Sequence, residues 1–361
     1  MKKLNNRLIV VLGMHRSGTS VITRGLQVLG VELGDNLMPA YEGNNSKGFW
    51  EDVDINALNI EMLRFLKIDW HFVTPVQASD VDALCQNGYL QRAVDLLRKK
   101  TASRKVFGFK DPRVAKLFPF WKEVFTQGQM NVDYILVIRH PLSVCHSLSK
   151  RDGFDFEKSY LLWLEHVIGS LVGTEGETRV IVDYDTFMQT PETELTRIAK
   201  RLQLSMNADD FRNFQLEFLD RGLQHTVYQL EDLTHDSAVP PLVQEVYSSL
   251  LQVTAGNAVP GEPALRDKIE HWGLEFSRMR STLAFVDKLG LKISAMTAER
   301  TGLVAERKAL LQEKTEWTQA FMVKEQTVQR LRAELGAIHQ SRWWRWTQPL
   351  RNLFKRPEPP K

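Results

Sequence analysis

The sequence predicts an α/β protein: a parallel sheet flanked by helices, followed by a long C-terminal helix or coiled coil. Three observations carry that expectation. Four short apolar runs rich in β-branched residues punctuate the first half of the chain, helical patterns fall between and after them, and a heptad repeat occupies residues 289–340.

The apolar runs are Leu8 to Leu12, Val106 to Phe109, Tyr134 to Ile138 and Arg179 to Val182. Each is nearly continuous in hydrophobicity, as a parallel strand covered on two faces requires. Val21, Ile22, Gly25, Leu26 and Leu29 share one helical face. The stretch "TPETELTRIAKRLQL" places Thr190 at an N-cap, Pro191 at the first helical position, acids early and Lys200 and Arg201 late. Trp121, Phe125 and Trp163 stand at helical spacing and read as core. The Gly/Pro-rich "AGNAVPGEP", Ala255 to Pro263, marks a boundary. The expected organisation is a nucleotide-binding domain over 1–255, a linker and helix over 256–288, a coiled coil over 289–340 and a basic, Trp-rich tail over 341–361.

At 361 residues and 43% hydrophobic content the chain can bury a sizeable core. Its two cysteines, Cys85 and Cys145, lack C-x-x-C spacing, which points to neither a disulfide framework nor a zinc site and fits a reducing cytoplasm. The five-residue apolar run before Gly13 is too short for a signal peptide, and no 18-residue apolar stretch follows. Net charge is +3, yet the tail holds six Lys/Arg against one acid, leaving residues 1–340 at −2. The body therefore lacks the broad basic face of a nucleic-acid binder.

After the first strand the chain reads "GMHRSGTSVITRGL". Against the phosphate-loop pattern G-x-x-x-x-G-K-[ST], Gly13 and Gly18 take the glycine positions and Ser20 the hydroxyl position, while Thr19 stands where the lysine belongs. Arg16 lies inside the loop instead. Loop amides and a helix N-terminus converge on an anion in this P-loop-type arrangement, so His15, Arg16, Ser17, Gly18, Thr19 and Ser20 form a candidate binding loop. The missing lysine, which in NTPases reaches the terminal phosphates, argues against NTP hydrolysis.

"RSGTS" after a strand, with "VIRHPLSVCHSL" far downstream, resembles the two signature stretches of the PAPS-dependent sulfotransferases, whose donor is 3′-phosphoadenosine 5′-phosphosulfate. The resemblance implies that the first stretch is the 5′-phosphosulfate loop. It also implies that Arg139 and Ser147, eight residues apart, bind the 3′-phosphate. "VIVDYDTFMQTPETELTRIAKRLQL" is similar to the family's Tyr-Glu-Asp-Leu segment near the adenine, with Asp185 replacing the glutamate and Tyr184 beside the base. Together the matches span roughly residues 5 to 220. PAPS is thus the expected co-substrate, without a metal, because a singly charged sulfuryl group has less need of a magnesium clamp and Arg16 can neutralise charge at the bridging oxygen.

The proton acceptor is less directly legible. Cytosolic members of the family use a histidine where this chain reads "VFGFKDPR", with Lys110, Asp111 and Arg113. "NNSKGFWED", Asn44 to Asp52, offers Glu51 among glycine and aromatics, a setting that raises carboxylate basicity; similar stretches occur in bacterial sulfotransferase-like proteins. Glu51 is the first candidate base and Asp111 the second, with Lys110 beside them. His15 and His140 read as structural.

The heptad runs through Ile293, Met296, Leu303, Leu310, Trp317, Phe321, Val328, Leu331, Leu335 and Ile338, interrupted by Arg300, Arg307, Lys314 and Lys324, and predicts a homo-oligomer. "SRWWRWTQPLRNLFKRPEPPK" has the composition of an interfacial segment on anionic lipid, and it resembles a stretch near the ends of some bacterial glycosyltransferases that build surface polysaccharides. The expected picture is a cytoplasmic enzyme, peripheral on the inner membrane, that sulfates a glycan or glycolipid. A nucleotide kinase-like P-loop enzyme and a catalytically idle PAPS-binding head on a coiled-coil scaffold stay open as alternatives.

Overall fold

A computed structural model describes residues 7–41, 47–219, 228–235, 238–256 and 262–353. The Asn44 end of the Glu51 segment, the middle of the Ala255 to Pro263 stretch and tail residues 354–361 lie outside them. Four parallel strands, β1 (Arg7–Leu12), β2 (Val106–Lys110), β3 (Asn131–Ile138) and β4 (Arg179–Asp183), form a sheet of order β2-β1-β3-β4. In register, Val10 lies beside Phe109 on one side and Tyr134 on the other, and Leu136 beside Ile181.

Within each buried strand the side chains alternate between two cores. Leu8, Val10, Leu12, Leu136 and Ile138 enter one, and Ile9, Val11, Ile135, Val137, Val180 and Val182 enter the other. Helices cover both faces, which is why the strands read as unbroken apolar runs. The helices of the first half are α1 (Thr19–Leu26), α2 (Val53–Phe65), α3 (Ala78–Gln86), α4 (Tyr89–Thr101), α5 (Pro112–Lys116), α6 (Phe118–Gly128), α7 (Pro141–Asp152) and α8 (Phe156–Gly173). After β4 come α9 (Tyr184–Gln189), α10 (Pro191–Arg201), α11 (Ala208–Asn213), a π-turn (Phe214–Phe218), α12 (Leu230–His235), α13 (Pro241–Thr254) and α14 (Pro263–Arg278). Trp121 and Trp163 are fully buried. Thr190 occupies the N-cap position of α10, but its hydroxyl donates back to the Thr186 carbonyl at 3.1 Å and no cap bond forms.

The chain divides into two compact units, Met1–Lys288 and Leu289–Lys361. In the first, α14 buries Leu265, Ile269, Trp272 and Phe276. The helix α15 (Arg280–Gln340) begins there, with Leu283 buried and the Asp287 carboxylate accepting from the amides of Val73 (2.8 Å) and Thr74 (2.9 Å). In the second unit α15 runs on to Gln340, followed by α16 (Arg342–Trp346) and α17 (Gln348–Leu353). The apolar heptad positions from Leu289 to Ile338 are all exposed. No helix among the described residues is long and apolar enough to cross a membrane.

Candidate active site

All four strands deliver chemistry-bearing residues at their C-terminal ends, the edge on which open α/β sheets bind ligands. β1 runs into the Gly13–Ser20 loop, β2 ends at Lys110 before Asp111, β3 precedes Arg139, and β4 precedes Tyr184. The loop turns tightly: the Ser17 amide donates to the Met14 carbonyl at 3.2 Å, Arg16 has φ 69° and Gly18 has φ 79°. At Gly18 a Cβ would lie 1.9 Å from the Tyr184 ring, so only glycine fits between that ring and the start of α1. Gly13 is equally confined, since a Cβ there would come within 2.8 Å of the Val137 carbonyl oxygen.

The two ends of the loop meet different groups. At one end the Arg16 Nε donates to the Ser147 hydroxyl at 2.7 Å, and an Arg139 terminal nitrogen donates to the Arg16 carbonyl at 3.0 Å. The Arg139 guanidinium also stacks 4.6 Å from the centre of the Tyr184 ring, and the Trp163 indole donates to the Arg139 carbonyl at 3.1 Å. The Arg139 Nε is buried without a hydrogen-bond partner among the described residues. Arg16, Ser147, Arg139 and Tyr184 thus come together, and Arg16 touches the very serine that the resemblance assigns to the 3′-phosphate. Arg151, which the sequence reading missed, belongs to the same basic group. It lies four residues after Ser147 on α7, one helical turn on, and stacks on Trp70 at 5.2 Å. Burial and the charges of Arg151 and Arg139 lower the Arg16 pKa.

At the other end the Ser20 hydroxyl donates to the Phe49 carbonyl at 3.0 Å and receives a 3.4 Å contact from the Lys110 ammonium. Lys110 donates to Glu51 Oε1 at 2.7 Å, and the Asn56 amide donates to Glu51 Oε2 at 3.1 Å. Burial raises the Glu51 pKa, reinforced by Asp111 and opposed by Lys110 and Arg113. Asp111 is fully buried and its acceptor capacity is in use. It accepts from the Asn56 and Asn59 amides at 3.1 and 3.0 Å, from the Arg113 backbone at 2.9 Å as the N-cap of α5, and from the Arg113 guanidinium at 3.1 Å. Asn59 is fixed in turn by the Trp121 indole at 2.9 Å.

The segment carrying Glu51 is clasped by a group absent from the sequence reading. Trp50 sits in the left-handed region at φ 58°, its indole donating to the Lys47 carbonyl at 2.9 Å. The Arg24 guanidinium lies 5.5 Å from the Trp50 ring and within 6 Å of Phe214 and Phe218, the two ends of the π-turn.

The two histidines have local jobs. His140 caps α7, its Nδ1 accepting from the Leu142 amide at 3.3 Å while Nε2 meets the Gln229 carbonyl at 3.0 Å. That pairing assigns the neutral Nε2–H tautomer. His15 packs 4.2 Å from Trp70, and burial together with Arg113 and Arg151 holds its pKa well below 6.5. Among the described residues no group of three or more His, Cys, Asp or Glu side chains is placed to hold a metal.

The fold and site together define an α/β protein in which the loop after β1 carries Arg16 and meets Arg139 at the C-terminal edge of a parallel sheet. No protein-family model and no curated protein matches the chain. Among solved structures it is similar to the sulfotransferase domain from the curacin biosynthetic pathway, at 14% identity and a TM-score of 0.36, over 67% of this chain and 90% of that one. It is also similar to the sulfotransferase domain from the Synechococcus PCC 7002 olefin synthase, at 15% identity and a TM-score of 0.36, over 75% of this chain and 94% of that one.

Proposed function

We propose that the chain is a PAPS-dependent sulfotransferase that moves a sulfuryl group to a hydroxyl of a glycan or glycolipid. The observation that carries the reading is the loop with a cationic group at one end and a basic carboxylate at the other. Arg139, whose buried Nε lacks a partner among the described residues, donates to the Arg16 carbonyl and Arg16 in turn to Ser147, while Lys110 reaches both Glu51 and Ser20. A buried guanidinium N–H left unpaired is costly, and a phosphate satisfies it. In this reading Arg139 and Ser147 hold the 3′-phosphate end of the donor, and Arg16, expected from the sequence at the bridging oxygen, is assigned to that end instead because it bonds Ser147. The amides of residues 17–20 and the N-terminus of α1 hold the 5′-phosphosulfate, and Tyr184 flanks the nucleoside.

The acceptor oxygen attacks sulfur, its proton passes to Glu51, the bond from sulfur to the bridging oxygen breaks, and the electron pair leaves on that oxygen. Lys110, already in reach of Ser20, neutralises the leaving charge. Asp111 holds Asn56 and Asn59 and acts by positioning. His15, kept neutral, moves no proton. The second unit supplies self-association through the α15 seam, and a surface-polysaccharide acceptor is the preferred substrate.

Calorimetric titration with PAP, the desulfated donor, tests the site without knowledge of the acceptor. PAP is expected to bind without divalent metal and far more tightly than AMP. Arg139→Ala should cost about 1.5–3 kcal/mol of that affinity, the worth of a charge-assisted hydrogen bond. Equal binding of PAP and AMP overturns the donor assignment, and ATP consumption would instead support the kinase-like alternative.

A further inference from the structure

The helical tail presents a single apolar stripe that nothing in the proposed chemistry uses. Trp343, Trp346, Leu350 and Leu353 are 81%, 88%, 60% and 79% exposed. Their spacing is i, i+3, i+7 and i+10. The break between α16 and α17 does not scatter them, because i to i−4 bonds run through it: the Thr347 amide donates to the Trp343 carbonyl at 3.1 Å and the Arg351 amide to the Thr347 carbonyl at 3.1 Å. At 3.6 residues per turn the four side chains fall within an arc of roughly 80°. Arg342 flanks the arc on one side and Arg351 on the other, where its guanidinium stacks on Trp344 at 3.4 Å. No acid occurs between Ser341 and Leu353.

We infer that this stripe docks flat on an anionic lipid surface, with Trp343, Trp346, Leu350 and Leu353 at the headgroup boundary and Arg342, Arg345 and Arg351 on the lipid charges. Tryptophan favours that boundary because its ring is amphipathic, and cations beside the apolar arc suit a planar negative surface. A single-stranded nucleic acid would be met by successive aromatic faces, whereas leucines complete this stripe. The inference is independent of the sulfotransfer reading.

The experiment is flotation of the full chain with phosphatidylcholine vesicles and with vesicles that also contain phosphatidylglycerol, across a salt series. The chain should float with the anionic vesicles only, be released as salt rises, and lose at least about tenfold in partitioning as Trp343→Ser/Trp346→Ser. A helical circular-dichroism spectrum matching the parent shows that this double variant is folded. Arg342→Gln/Arg345→Gln/Arg351→Gln should flatten the salt dependence. The inference is overturned if the chain stays soluble beside anionic vesicles at low salt, if the Trp variant floats undiminished, or if equimolar single-stranded RNA strips the chain from the vesicles.

Discussion

Glu51 and Asp111 are buried carboxylates that share Asn56 as a donor, yet their surroundings give them different capacities. Four donors satisfy Asp111, whereas Glu51 is held by one lysine and one amide, with Arg113 3.9 Å away, and burial raises its basicity. Glu51→Gln should therefore lower turnover by about 10²- to 10⁴-fold while PAP affinity is kept. The acid limb of the wild-type rate profile should lie above the ordinary carboxylate range. Asp111→Asn should act first on stability; a stable, inactive Asp111→Asn beside a fully active Glu51→Gln would reverse the two roles. A third carboxylate, Asp183, gives a stability test. Burial raises Asp183 from 3.8 to about 6, so the unfolded chain sheds this proton first and stability falls as pH rises from about 4 through about 6. The difference corresponds to about 3 kcal/mol at neutral pH. Asp183→Asn, which can still cap α9, should be stabilising near pH 7 and near neutral at pH 4, as read by denaturant titration at each pH. Equal effects at both pH values would contradict the assignment. Glu51, Lys110 and Asp111 were named from local sequence context, but the Lys110–Glu51 contact was not legible, because it joins residues 59 apart through the placement of β2 against the loop. The Arg24 clasp on Trp50 was hidden for the same reason, while the one-turn spacing from Ser147 to Arg151 on α7 was a signal available in the sequence.

Element boundaries were the most legible part of the fold. All four strands begin within three residues of the expected position and end within one, because a strand covered on both faces must be apolar throughout and its sequence has little freedom. The expected Thr190 cap bond failed because a threonine hydroxyl can return to the carbonyl four residues back, a choice that sequence pattern does not resolve. The 61-residue α15 is the element on which the chain's association is best tested. Its heptad seam is exposed in one copy, and a helix of that length with Trp317, Phe321 and Leu331 in water gains by pairing. The full chain should run as a dimer or higher oligomer in light scattering. Leu303→Lys/Leu310→Lys should return it to a monomer, whereas Ala305→Lys/Gln312→Lys, on the opposite face, should leave association intact. A monomeric wild type at micromolar concentration, or equal disruption by both pairs, would dismiss the seam.

The division into Met1–Lys288 and Leu289–Lys361 carries a consequence for the whole molecule. The first unit has the two cores on either side of the sheet, whereas α15 beyond Lys288 has an apolar seam but buries none of it in a single copy. If α15 pairs along its seam, the sources of stability differ: internal burial in the first unit, and association in the second. Thermal unfolding of the full chain should show two transitions. The transition of the second unit should rise with protein concentration, as it must when dissociation accompanies melting, and the transition of the first should not. A ligand bound to the first unit stabilises only that unit, by about 2.7 kcal/mol at a hundredfold excess over Kd, so PAP should raise its midpoint by several degrees and leave the other in place. Near-ultraviolet circular dichroism follows the first unit, where Trp121, Trp163 and Trp272 are buried, because Trp317, Trp343, Trp344 and Trp346 of the second are exposed, while the helical far-ultraviolet signal reports both. If one transition answers to PAP and to concentration alike, the two units unfold as a single cooperative body, and the association of α15 is coupled to the donor site.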